Sequence, residues 1–393
     1  MRQIITSPLD SDLYKFSMLQ VYYHYENATT ATFVFACRNK DVKFTKEMYD
    51  EICQQIEHLT FLRYMSDELG YLAKLGWFKD NFLRFLSGFR LEAMDVKTSL
   101  NDGNMEIRIT APIVSATMYE VYVLAIVSEV YHYYKMKEYN QDVKTLHSEG
   151  MKRLEAKAKR INEIEGLPFT DFGTRRRFSK EWQAIVVEYL AQNCKGFVGT
   201  SNVYLAKQLG LKPIGTMAHE YIMSCQALTS LDRSEKMAME RWLKFYEGNL
   251  GTALTDTLTT DHFLKIFNGT LARAFTGVRQ DSGDPIAWGY KMIAHYEKLG
   301  IDPKTKSFIF SDSLNLELMI KIWLEFKGKA LVSFGIGTNL TNDLGVIPLN
   351  IIIKMMECQG FPLIKTSDTA GKIMCENEKY KEFVMDYLNI KVA

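Results

Sequence analysis

A chain of 393 residues with 48 Lys+Arg against 47 Asp+Glu carries a net charge of +1, which gives neither a basic field for nucleic acid nor an acidic tail. The length allows about one to three domains. With 47% hydrophobic and 12% aromatic residues against only 24 glycines and 8 prolines, a disordered or linker-rich chain is excluded. The six cysteines (Cys37, Cys53, Cys194, Cys225, Cys358, Cys375) form no C-x-x-C, which excludes a zinc ribbon or a thioredoxin-type motif and suits reduced thiols. Asp10 and Asp12 stand where a signal peptide would be apolar. The most apolar run, Val121–Val127, lies between Glu120 and Glu129 and falls short of a membrane span. A cytoplasmic protein without nucleic-acid or membrane partners is expected.

In chain order, the pattern predicts a helix over Lys15–Tyr25, a strand over Thr32–Ala36, helical stretches through 45–90 and a strand of alternating apolar residues over Glu106–Ile113. From 118 to 166 the pattern is helical, first apolar and then charged, and Gly166-Leu167-Pro168 stops it. A different rhythm follows. Six short apolar runs each end in small polar residues and lead into a helical stretch: Phe197-Val198, Pro213-Ile214, Ala253-Leu254, Gly277-Val278, Phe308–Phe310 and Leu331–Phe334. Such units predict parallel strands with helical crossovers, in a barrel or in an open doubly wound sheet. In a barrel the polar loops would share the C-terminal face, where active sites lie.

Several loops carry candidate chemistry. Gly335-Ile336-Gly337-Thr338 and Ser311-Asp312-Ser313 suit phosphate, because glycine permits close backbone approach and helix N-termini present free N–H groups. Capped turns without a ligand would read the same. Arg279-Gln280-Asp281-Ser282-Gly283-Asp284 sets one cation and two carboxylates at a strand end, fit for metal–phosphate or carboxylate work or for a surface ion pair. Asp171-Phe172-Gly173 begins like a kinase motif, but no H-R-D loop accompanies it. The arginines that follow, Arg175 to Arg177, suit an anionic small substrate or a solvated charge run. His219-Glu220 fails as a zinc-protease motif because Met223 occupies the fifth position. His219 is left as a loop histidine fit to act as nucleophile or base.

The chain resembles the nicotinate phosphoribosyltransferases of the bacterial and fungal type. The resemblance rests on D-L-Y-K-F at 12–16, D-F-G-T-R-R-R-F-S at 171–179, V-G-T-S-N at 198–202 and G-T-M-A-H-E at 215–220. Further along it rests on L-T-D-T at 254–257, G-V-R-Q-D-S-G-D-P at 277–285, F-S-D-S at 310–313, S-F-G-I-G-T at 333–338 and K-T-S-D at 365–368. It implies an α/β fold, an irregular TIM-like α/β barrel beside a mixed α/β sandwich domain. The expected boundaries are 1–117 for the sandwich, with 356–393 as a completing segment, and 118–355 for the catalytic barrel.

The implied reaction joins nicotinate to phosphoribosyl pyrophosphate, giving nicotinate mononucleotide and pyrophosphate, with ATP as co-substrate and Mg²⁺ as cofactor. His219 would be phosphorylated by ATP. Asp256 and Asp281 would sit near the ribose, with Asp281 on the metal, and Arg279 would hold the nicotinate carboxylate or pyrophosphate. Phe172 would stack on the pyridine and Tyr14 would cover its other face from a second subunit, so a homodimer is implied. Arg175, Gly335, Gly337, Thr338 and Thr341 would contact phosphates, with Thr200, Ser311 and Asp312 also in the substrate site. Ser201 stands where nicotinamide-using relatives carry an acid, which favours nicotinate over the amide. The His219 loop argues against quinolinate, and the full loop set argues against a silent binding relative.

Overall fold

The computed structural model describes residues 2–369 and 372–390. Its strands are β1 (Thr30–Cys37), β2 (Val96–Asn101), β3 (Asn104–Pro112), β4 (Phe169–Asp171), β5 (Phe197–Thr200), β6 (Thr252–Leu254), β7 (Gly277–Gln280), β8 (Ser307–Phe310), β9 (Leu331–Ile336), β10 (Ile351–Cys358) and β11 (Phe361–Pro362). Both parallel and antiparallel pairings occur, and the class is α/β as the sequence predicts. Two compact units partition the chain. The first comprises 1–27, 33–215 and 336–353; the second comprises 28–32, 216–335 and 354–393.

In the first unit, β2 and β3 form an antiparallel hairpin in which Val96 pairs with Ile109 and Asn101 with Asn104. Alternation along β3 buries Met105, Ile107, Ile109 and Ala111 on one face, the half-buried strand that the sequence pattern predicts. The helix Ile113–Glu138 is buried on every side over 116–130, Glu120 and Glu129 included. By length and composition it could cross a membrane, but 94% of its most apolar window is buried within the protein. β4 and β5 pair in parallel, with Asp171 opposite Thr200.

In the second unit, β6, β7, β8 and β9 pair in succession, all parallel. Each strand is followed by a helix, as the apolar-run rhythm predicts: Thr260–Ile266, Pro285–Lys298, Leu316–Phe326 and Thr338–Thr341, the last of which lies in the first unit. Gly277 is needed for contact between strands, because a Cβ there would lie 2.4 Å from the Ser307 carbonyl oxygen. The Trp288 ring packs edge-on against Phe308 and Phe310, and its indole N–H donates to Thr255 Oγ1 at 2.9 Å.

Two local expectations differ from the structure. Pro213-Ile214 forms only an isolated bridge, Pro213 to Thr200, because proline has no N–H to extend a ladder. Conversely, β4 is a strand that the apolar-run count passes over, being three residues long and ending in a buried aspartate.

Candidate active site

Within the second unit, the loops after β6, β7 and β8 bring polar groups around His219. His219 begins the helix His219–Ser224 and is buried. Its Nε2 lies 3.0 Å from Asp281 Oδ2, and its Nδ1 lies 3.1 Å from Thr257 Oγ1. Burial, with Lys365 nearby, pulls its pKa down to about 4, so the ring is neutral near pH 7. Burial alone would raise the Asp281 carboxyl, but the His219 hydrogen bond and the Arg279 charge outweigh it and hold Asp281 well below the usual range. An ionised carboxylate only accepts, so Nε2 carries the ring proton and Nδ1 keeps its lone pair.

Asp256 follows β6 and is almost fully buried. Its Oδ2 accepts from Ser282 Oγ at 2.5 Å and from Lys365 Nζ at 3.3 Å. Its Oδ1 has no hydrogen-bond partner among the described residues and lies 3.9 Å from His219 Nε2. Arg279, on β7, reaches the Met217 carbonyl at 3.3 Å. Ser311 Oγ lies 3.0 Å from Asp281 Oδ1, and Asp312 is held at both oxygens by Lys372, at 2.9 and 3.0 Å.

The two carboxylates of the 279–284 loop divide their work. Asp281 meets His219, whereas Asp284 caps the helix Pro285–Lys298 by accepting from the Ala287 N–H at 2.7 Å. Thr257, Ser282, Lys365 and Lys372 join this cluster without having been assigned a role from sequence. Their only signal was membership of, or proximity to, the L-T-D-T, R-Q-D-S and K-T-S-D segments.

The first unit holds the other predicted residues. Asp171 is fully buried and accepts from the Gly173 N–H at 2.8 Å, Thr200 Oγ1 at 2.7 Å and Gln183 Nε2 at 2.9 Å. Burial nevertheless lifts its pKa to about 6. This anchor shapes the turn that presents Phe172, whose N–H donates to the Ile336 carbonyl at 2.8 Å. A Cβ at Gly173 would lie 2.1 Å from Thr341 Oγ1, the hydroxyl that donates to the Gly173 carbonyl at 2.9 Å. Thr341 therefore braces the turn with its proton. Gly337 and Thr338 open the short helix beside it, and a Cβ at Gly337 would lie 3.2 Å from the Phe172 carbonyl oxygen. Gly335 belongs to β9 in the second unit.

The three arginines have three different environments. Arg175 is 41% exposed, with Nη1 3.3 Å from Glu120 Oε1. Arg176 donates to the Ile351 carbonyl at 2.8 Å. Arg177 is fully buried, paired with both oxygens of Asp10 at 2.7 and 3.0 Å and with Glu129 at 2.7 Å. Of the run, Arg177 is shut away from any substrate, whereas Arg175 and Arg176 are partly exposed.

Ser201 donates its hydroxyl proton to Asp12 Oδ1 at 2.7 Å, so its single donor is already engaged. Burial raises the Asp12 carboxyl, against the opposing charge of Arg175. Tyr14 is buried on the helix Leu13–Tyr25, with Lys15 Nζ 5.5 Å from its ring centre.

The oxygen donors Asp256 and Asp281 fit a hard divalent cation such as Mg²⁺, which binds one or two carboxylates and completes its shell with water and substrate phosphates. The buried, unpartnered Oδ1 of Asp256 is the observation that favours this.

Residues 167–391 match the nicotinate phosphoribosyltransferase (NAPRTase) family, and residues 9–128 match its N-terminal domain. The chain is 44% identical to a nicotinate phosphoribosyltransferase of Acinetobacter baumannii, over 100% of this chain and 98% of that protein. It is similar to the crystal structure of the Vibrio cholerae nicotinate phosphoribosyltransferase, with a TM-score of 0.93 and 38% identity over 100% of this chain and 95% of that one. The Porphyromonas gingivalis structure of the same name gives a TM-score of 0.91 at 36% identity, covering 98% of this chain and 100% of that one.

Proposed function

The chain belongs to the nicotinate phosphoribosyltransferase family, enzymes that transfer phosphoribosyl to nicotinate in NAD salvage, and on that premise we propose that ATP drives the transfer through a phosphohistidine at His219. The observation that carries this reading is a neutral, buried imidazole with Nε2 turned to Asp281 and the Nδ1 lone pair facing a hydroxyl. The Thr257 hydroxyl vacates the Nδ1 lone pair, Nδ1 takes the γ-phosphoryl group of ATP as the bond to ADP breaks, and Asp281 stabilises the positive charge that the ring acquires. Hydrolysis of the phosphoimidazole to phosphate then restores His219.

In the transfer itself, the pyridine nitrogen of nicotinate brings its own lone pair and needs no general base. Its bond to the anomeric carbon forms as the bond to pyrophosphate breaks. Asp256 and Asp281 stabilise the cationic ribosyl centre. Asp256 and Asp281 would hold Mg²⁺, which when bound would supply charge neutralisation for the departing pyrophosphate. Arg279 and Arg175 are the cations for the nicotinate carboxylate and the phosphates. Phe172 and Tyr14 stack on the pyridine ring; the further substrate-binding residues are Thr200, Ser201, Gly337, Thr338 and Thr341 in the first unit and Ser311, Asp312 and Gly335 in the second. Acid is preferred over amide because position 201 is a hydroxyl, where an added carboxylate would repel nicotinate.

The working form is a homodimer in which Tyr14 serves the partner's site. Six free thiols support a cytoplasmic location.

His219→Ala is expected to abolish both ³²P incorporation from γ-labelled ATP and ATP stimulation, while slow ATP-independent formation of nicotinate mononucleotide remains. ATP stimulation persisting in that variant would remove His219 from this role.

A further inference from the structure

Behind His219 the hydrogen bonds lead to a buried pair that the steps above do not use. Glu235, on the helix Leu231–Tyr246, is fully buried, and His262, on the helix Thr260–Ile266, is nearly so. His262 Nδ1 lies 2.6 Å from Glu235 Oε2. The other carboxylate oxygen, Oε1, accepts the backbone N–H of Leu258 at 3.2 Å. Leu258 directly follows Thr257, whose hydroxyl meets His219 Nδ1 and whose carbonyl accepts the Thr366 N–H at 3.0 Å. The Leu258 side chain is fully buried with Ile364 and Val384.

The Leu258 peptide is thus held at its amide by a carboxylate and at its side chain by apolar packing. Stability alone does not call for a carboxylate and an imidazole here, since apolar residues of similar volume commonly serve a buried position as well as an ion pair does. A carboxylate clamped by a histidine instead fixes where one amide points. Thr257 Oγ1 is one residue away.

We propose that Glu235, with His262 holding its carboxylate, is a positioning residue for the phosphorylation of His219, acting through the Leu258 amide and the Thr257 hydroxyl. This rests on the reading of His219 as the phosphoryl acceptor. Glu235 touches no reacting atom. It sets the register of the loop after β6 beyond Asp256, so that the Thr257 hydroxyl holds the plane of the ring through Nδ1 and gives up that position to the incoming phosphoryl group. A displacement of about 1 Å at such a nucleophile is worth on the order of 10²-fold in rate.

The test compares ³²P labelling from γ-labelled ATP with nicotinate mononucleotide formation in the absence of ATP. In Glu235→Met, labelling is expected to fall on the order of 10²-fold while ATP-independent transfer stays near native. In Glu235→Gln, the amide oxygen can accept from Leu258 while the amide NH₂ donates to His262 Nδ1 in its other tautomer, so labelling should recover. Thr257→Val should reproduce the Glu235→Met loss, and the double variant should be little worse than either single one, because both break the same path.

Should Glu235→Met not fold, His262→Leu against His262→Asn reads the same path. The leucine variant is expected to lose labelling, and the asparagine variant, whose amide can occupy the Nδ1 position, to keep it. Equal losses of labelling and of ATP-independent transfer would reduce Glu235 to a stability role and overturn the proposal. Native labelling in Thr257→Val would overturn it as well. If the native enzyme itself takes no label, the phosphohistidine reading falls and this inference falls with it; labelled native enzyme with unaffected Glu235→Met sinks this inference alone.

Discussion

His219 and His132 are both buried imidazoles whose pKa burial lowers to about 4, and they do opposite work with the same neutrality. At His219 the retained lone pair faces a hydroxyl in the site. At His132, Nδ1 meets the Ser128 carbonyl one turn back along its helix at 2.7 Å, and the ring packs against Phe178. Sequence set His219 apart as a loop histidine within G-T-M-A-H-E and drew nothing from His132, but it gave no sign that burial keeps both rings neutral. His132 carries a pH consequence. Its folded pKa lies below its ordinary value of 6.5, so between 6.5 and about 4 the unfolded chain holds a proton that the folded chain refuses. The stability it contributes is present above 6.5 and is lost as pH falls. Relative to His132→Gln, the native chain should lose about 2 kcal/mol between pH 7 and pH 5, read from urea unfolding of both proteins at each pH. A pH-independent difference would show that His132 titrates in the fold as it does in the unfolded chain.

At the scale of elements, the short helix Thr174–Arg176 and the residue after it set the charges of the first unit. Burial divides a run that the sequence presents as uniform. Arg177→Met leaves Glu129 buried without its cation and Asp10 with Lys180 alone, and is expected to cost about 3–5 kcal/mol of stability. Arg175→Ala, at a partly exposed position beside Glu120, should change stability by about 1 kcal/mol or less and instead raise the KM for phosphoribosyl pyrophosphate. Denaturant melts and steady-state rates on the two variants separate these effects; similar stability losses would mean that Arg175 is structural too. The strands were legible wherever apolar residues preceded small polar ones, as at Phe308–Phe310 before Ser311. Legibility failed at Pro213-Ile214, where composition suggested a strand that proline cannot continue, and at β4, where Phe169 is the only apolar residue of the three.

Across the whole molecule, ordered segments from D-L-Y-K-F to K-T-S-D carried the family, because short motifs stay contiguous in the chain. The contacts between them did not come from sequence. His219 meets Asp281 across 62 positions, and Lys365 meets Asp256 across 109. Spacing holds no trace of such pairs. Nor does it say that the Ser201 proton goes to Asp12, or that Asp284 caps a helix while Asp281 faces the imidazole. These are facts of folding, and they give the motif residues their separate roles.

ATP-coupled phosphoribosyl transfer to nicotinate can be tested in one assay. Purified native protein is given phosphoribosyl pyrophosphate and Mg²⁺ with nicotinate, nicotinamide or quinolinate, each with and without ATP, and mononucleotide is measured. The account predicts product from nicotinate alone, formed faster with ATP. Comparable turnover of nicotinamide, or a nicotinate rate indifferent to ATP, would contradict it.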